Sequence, residues 1–212
     1  MCIRDSSYTA EETQALVDEA HIHGKSVACH ALGGAGLRTA IEAGVDSIEH
    51  GCLLGLDPDL LKMMADNGSY LVPTFTVFTF HAAQGNPHAQ TESHEFKQQH
   101  IETVQQAMRA GVRVVAGTDA GGWEHGNNAK ELELLVAAGM TPMQSLVAAT
   151  GWASDCLGLE KSIGTVEPGK LADLIVVDGD PLTDITVLQN QQKISLVIKD
   201  GQAYLDRISG SD

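Results

Sequence analysis

A chain of 212 residues, 43% hydrophobic and 19% charged, has the make-up of a soluble globular protein long enough to bury a core. Its formal net charge of −15 repels nucleic acid, and no apolar run nears the ~18 residues that a membrane span needs. Cys2, Cys29, Cys52 and Cys156 lack paired spacing, so neither a disulfide framework nor a CxxC metal site is indicated, and a reducing, cytoplasmic setting is expected.

Met1-Cys2-Ile3-Arg4-Asp5-Ser6 has no apolar core and no small-residue cleavage site, so it is not a signal peptide. It resembles the translation of a sequencing adapter. Native sequence is therefore expected to start near Ser7, which leaves export undecided and makes the chain a C-terminal fragment.

From residue 9 to 23 apolar positions recur among acids, and Thr9 with Glu12 forms a capping-box pattern, so a helix closed by Gly24 is predicted. Residues 26–29 read as a buried strand, 36–43 as a helix closed by Gly44, and 46–49 as the next strand. The unit recurs as helix 57–67, Gly68 and strand 70–72, then as helix 96–110, Gly111 and strand 113–116. Four repeats of helix, glycine and short apolar strand indicate an α/β array with parallel strands. Residues 75–94 interrupt it with a long loop, centred on Gly85-Asn86-Pro87 and carrying His81, His88 and His94, of the kind that forms a lid. Helices are predicted over 129–138 and 142–157. From Ile163 the texture turns to β: a turn-rich segment, runs at 172–177 and 194–198, a hairpin turn at Asp200-Gly201, and 202–205. The expected domains are thus residues 1–6 (adapter), 7–162 (β/α barrel), 163–208 (β module) and 209–212 (frayed tail).

Three metal-competent side chains sit just past three of these strands: His30 after Val27-Ala28-Cys29, His50 in Ser47-Ile48-Glu49-His50-Gly51, and Asp119 after Val114-Val115-Ala116-Gly117-Thr118. The C-terminal ends of parallel strands in a barrel open on one pocket, so distance in sequence does not separate them. Two neutral imidazoles and a carboxylate suit a divalent metal, Zn²⁺ before Mn²⁺, Co²⁺ or Fe²⁺. An Asp so placed can take a proton from water and return it to a departing amine, the chemistry of amide-type C–N hydrolysis. One strand-end His is ordinarily a hydrogen-bonded loop residue; three equivalent positions in a repeated unit reverse that reading. Cys29, one residue before His30, should face the helices as a buried core thiol. His21-Ile22-His23, at a helix end, reads as surface.

The strand-end His30, Ile48-Glu49-His50-Gly51, Gly117-Thr118-Asp119-Ala120 and the tail from Gly164 through Pro168-Gly169-Lys170, Ala172-Asp173-Leu174-Ile175 to Gly179-Asp180-Pro181 together resemble the metal-dependent amidohydrolase superfamily. The likeness is to its branch of imidazolonepropionase-like proteins and Xaa-Pro dipeptidases. The resemblance implies the C-terminal half of a TIM-type (β/α)8 barrel with part of a small β-sandwich module. His30 and His50 match the strand-five and strand-six ligands of the second metal in a binuclear centre. Asp119 matches the strand-eight ligand that acts as general base and then acid. The strand-one His-x-His pair and the bridging Lys of that family have no counterpart here, so the chain alone is expected to be inactive. His125 and Asn128 fall where such barrels touch substrate, though a polar Gly-Asn loop can equally cap the helix that follows. Tyr70 and Thr74 flank a strand, where packing or turn formation explains them as well. The substrate expected is a dipeptide or other small cyclic or amide-bearing molecule. The alternative, deamination of a nucleobase-like ring, is disfavoured because no acid follows His30 in Ala31-Leu32-Gly33-Gly34-Ala35-Gly36. Half a barrel also leaves an open sheet edge, which favours association into a homo-oligomer.

Overall fold

A computed structural model describes residues 8–83, 94–121 and 125–209. The readings of residues 1–6, of Gly85-Asn86-Pro87 and of His88 lie outside them. The chain packs as two compact units, residues 1–123 and 124–212.

The first unit is a four-stranded, all-parallel sheet in the order β1 (Ala28–Ala31), β2 (Ser47–His50), β3 (Tyr70–Val72), β4 (Arg113–Val114). Between the strands run α1 (Ala10–Ile22), which precedes β1, then α2 (Gly34–Glu42), α3 (Pro58–Asn67), α4 (Phe75–Ala83) and α5 (His94–Ala110). Each helix begins or ends where local chemistry directs. Thr9 and Glu12 close the capping box on α1, and Gly68, at φ 74°, supplies the left-handed residue that ends α3. Asp46 then ties α1 to the sheet: Oδ2 accepts from Val27 N at 2.7 Å and lies 2.8 Å from Nε2 of His21. His23 pairs instead with Glu19, so the two histidines have separate surface partners.

Ile48, Leu71 and Val114 are completely buried in the sheet, and Leu37, Ile41, Met64 and Val104 are buried on the helices. Each such side chain contributes about 1.5–3 kcal/mol by leaving water. Close approach also requires glycine at Gly117, where a Cβ would stand 2.4 Å from Cγ1 of Val72.

One segment of this unit departs from expectation. Residues 75–83 form α4 rather than the first half of a loop, and His94 opens α5. Phe75, Thr76 and Val77 are consecutive and all buried. A helix buried on several sides has no 3.6-residue stripe to read, so its pattern shows only as an apolar run.

In the second unit α6 (Lys130–Ala137) packs on α7 (Pro142–Ala149), with the Ser145 hydroxyl donating to Leu132 O at 2.9 Å. The single helix expected over 142–157 is two, because Thr150 leaves helical geometry at φ −129°, ψ −89° and α8 (Gly151–Cys156) starts afresh. A β-branched residue followed by glycine is weak helix-forming sequence. The antiparallel sheet β5 (Leu174–Val177), β6 (Ile194–Lys199), β7 (Gln202–Asp206) follows. Asp200 and Gly201, both at positive φ, make the β6–β7 turn, and Asp173 accepts from Asp200 N at 2.7 Å. Among the described residues no helix is long and apolar enough to cross a membrane.

Candidate metal centre

The parallel register sets Ala31 beside His50 and His30 beside Glu49, so the two histidines lie diagonally across neighbouring strands. The ladder extends past the strand ends through Gly51 N to Ala31 O at 2.9 Å. This brings the rings of His30 and His50 edge to face, with centroids 4.5 Å apart. His30 is exposed, whereas His50 is buried.

His50, Thr74 and Asp119, following or ending β2, β3 and β4, all have positive φ: 73°, 55° and 50°. The fourth non-glycine residue in that region among the described residues is Asp200, in the hairpin turn. Such backbone costs on the order of 1–3 kcal/mol per residue and clusters where a fold aims side chains at a site. For Thr74 the cost is sharpest, because a β-branched residue fits that region worst.

Electrostatics sorts the groups. Burial first, and then the neighbouring His30, pushes His50 down to about 4, while Asp119 partly opposes them. His50 is therefore neutral at neutral pH and keeps the lone pair that a metal ligand needs. Asp119 is exposed, yet near enough for its charge to act on both His50 and Glu49. Glu49, half-buried, is held above the usual carboxylate range mainly by desolvation, with Asp119 adding to it and Ser47 opposing. Its Oε1 accepts from the Ser47 hydroxyl at 2.7 Å.

Cys29 is half-buried rather than a core thiol, and burial followed by Glu49 raises it above the usual thiol value. It stays protonated at neutral pH and is a poor ligand. Cys52 is fully buried, with its carbonyl accepting from Thr103 Oγ1 at 3.0 Å.

Behind His50 lies a residue that sequence reasoning passed over. His100 of α5, 2% exposed, is enclosed by Phe75, Phe78 and Phe96 with ring centroids 4.3, 5.3 and 6.3 Å away. Phe78 also meets the His50 ring at 5.6 Å. The carbonyls of His50 and Pro73 favour the protonated form of His100, but burial dominates and pushes it down to about 3. Its Nε2 meets no hydrogen-bond partner among the described residues. The signal for its burial was present, since His100 shares a helix face with Val104 and Ala107, both buried.

The remaining candidates sit on other elements. His81 lies in the last turn of α4 against Phe80, and His94 is exposed at the start of α5. His125 and Asn128 are exposed in the turn before α6, where Asn128 O accepts from Glu131 N at 3.2 Å; both belong to the second compact unit. Among the described residues no three His, Cys, Asp or Glu side chains gather closely enough to hold a metal ion. What is assembled is a pair of adjacent imidazoles, fit to supply two nitrogen donors to a borderline divalent cation, with a carboxylate nearby.

Parallel β/α units with donor-bearing strand ends are a barrel-type architecture, and comparison with known proteins agrees. The chain belongs to the Amidohydrolase family, whose profile matches residues 3–204. It is 31% identical over 205 residues to the ochratoxinase of Aspergillus niger, covering 94% of this chain and 42% of that protein. It is 28% identical over 204 residues to the imidazolonepropionase of Pyrobaculum arsenaticum, covering 92% and 46%. Among solved structures, a Xaa-Pro dipeptidase with methionine bound in its active site superposes with a TM-score of 0.83 at 39% identity, over 93% of this chain and 49% of that one. The chain spans about half the length of the relatives it matches, and its α/β fold is that of the family's TIM-type barrel enzymes.

Proposed function

We propose that this chain supplies part of a metal-dependent site for hydrolysis of a C–N bond, amide or peptide-like, in a dipeptide or cyclic amide. The observation that carries the reading is the juxtaposition of His30 and His50, rings 4.5 Å apart at the ends of adjacent parallel strands. The family and the three relatives support the bond class. In this reading His30 and His50 hold a divalent cation, Zn²⁺ first among candidates, through neutral imidazole nitrogens. When bound, the cation supplies Lewis acidity that polarises a carbonyl and makes water a better nucleophile. Asp119, exposed and open to substrate, takes the proton from the attacking water and delivers it to the departing amine nitrogen. Beside a cation held by His30 and His50, Asp119 would offer one carboxylate oxygen as a further donor and leave the other to carry the proton. His125 and Asn128 are proposed as substrate contacts on the same resemblance.

The test is calorimetric titration of Zn²⁺ and Co²⁺ into the EDTA-stripped chain. Saturable binding is expected, weakened at least about tenfold by His30→Gln and by His50→Gln, and unaltered by His81→Ala. Absence of saturable binding, or equal binding by all four proteins, refutes the reading.

A further inference from the structure

We propose that Thr74 is a positioning residue that locks His50 in one tautomer, with the proton on Nδ1 and the lone pair on Nε2. Thr74 is 3% exposed, and its hydroxyl carries a single hydrogen, which it donates to Pro73 O at 2.7 Å. The same Oγ1 lies 2.6 Å from Nδ1 of His50. With its hydrogen committed, Oγ1 can only accept on that side, so Nδ1 must carry the donor. The other tautomer would set the Nδ1 lone pair against the lone pairs of Oγ1 at this short distance. Turning the hydroxyl round to donate to Nδ1 would break the bond to Pro73 in a place closed to water.

Backbone strain points the same way. Thr74 holds φ 55°, where a β-branched residue is disfavoured and glycine or asparagine would sit more easily. A hydroxyl at the end of β3, directed to the residue ending β2, is what the strain secures. The free histidine side chain prefers its proton on Nε2, so without Thr74 the ring would drift towards the tautomer that blocks that nitrogen. Hydrogen bonds that fix the tautomer of a ligating imidazole are commonly worth 10–100-fold in metal affinity. This inference rests on the metal reading above for its purpose, but its structural content does not need the metal.

The experiment uses the full chain, ¹⁵N-labelled at histidine and metal-free at pH 8, with long-range ¹⁵N–¹H correlation spectra. The His50 signals are assigned by their loss in His50→Gln. The expected result is Nδ1–H in the parent protein and in Thr74→Ser, which keeps the hydroxyl, and a shift towards Nε2–H in Thr74→Ala. Alanine relieves the β-branch at this φ, so folding is retained, and the parent spectrum alone can refute the idea. Nε2–H in the parent, or no change in Thr74→Ala, overturns it. Zn²⁺ titration of the same three proteins then separates the two readings. A 10–100-fold loss confined to Thr74→Ala supports both. The tautomer change without Zn²⁺ binding by any of them upholds the role of Thr74 and overturns the metal reading. Zn²⁺ binding equal in all three, with the parent as Nε2–H, does the reverse.

Discussion

His100 makes the first unit acid-sensitive in a way that can be worked out from its surroundings. Its imidazole is closed off by Phe75, Phe78 and Phe96, and burial holds its titration at about 3, against an ordinary value of about 6.5. Between those values the unfolded chain binds a proton that the folded chain refuses. Folding stability is therefore fully present above about pH 6.5 and is lost as pH falls towards 3. At pH 5 the folded ring is still neutral, so the loss is set by the distance from 6.5 alone: one and a half decades, or about 2 kcal/mol. The full distance to about 3 corresponds to roughly 5 kcal/mol.

The perturbation that isolates this contribution is His100→Leu. Leucine keeps an apolar filling among the phenylalanines and removes both the titration and the buried Nε2. Urea unfolding followed by far-UV circular dichroism, in EDTA at pH 7, 6 and 5, compares the two proteins at each pH. The difference between them cancels other titrating groups, including His50, which is also depressed and acts with the same sign, and Glu49, which is raised and acts with the opposite one. The parent is expected to lose about 2 kcal/mol more than the variant between pH 7 and pH 5. Parallel loss in the two proteins would refute the reasoning, whatever their relative stability at pH 7.

Four further substitutions test the packing and a helix cap. Gly117→Ala places a Cβ 2.4 Å from Cγ1 of Val72 and is expected to cost about 1–3 kcal/mol, read as a lower urea midpoint. Leu71→Ala, at a position with no exposure in the centre of the parallel sheet, is expected to cost about 2–5 kcal/mol; Leu157→Ala, at a 68% exposed site, stays within about 0.5 kcal/mol and serves as its control. Thr141→Ala removes the hydroxyl that caps α7 by accepting from Gln144 N, for a loss of about 1 kcal/mol in the unfolding of the second unit.

What could be read from the chain and what could not divide along physical lines. The four parallel strands were legible to within two residues because each is a short apolar run between a helix-ending glycine and a polar or small residue, a local pattern that survives folding. The first helix was legible for the same reason, through Thr9 and Glu12. The helix at Phe75–Ala83 was not, since being apolar on several sides erases the periodicity that would announce it. The pairing of His30 with His50 followed from repetition: equivalent positions in successive β/α units must end on one face of a parallel sheet. Conformation at those positions was closed to such reasoning. Nothing in the residue types of His50, Thr74 or Asp119 requests a positive φ, and for threonine the intrinsic preference runs against it. Tertiary structure imposes it at three successive strand ends, and one consequence is a hydroxyl 2.6 Å from an imidazole 24 residues earlier. Thr74 as a letter in the sequence was ambiguous between packing and turn formation. It acquires a distinct meaning only once strain, burial and the destination of its one proton are considered together, and the same holds for His100, whose helix face foretold burial but not its neighbours.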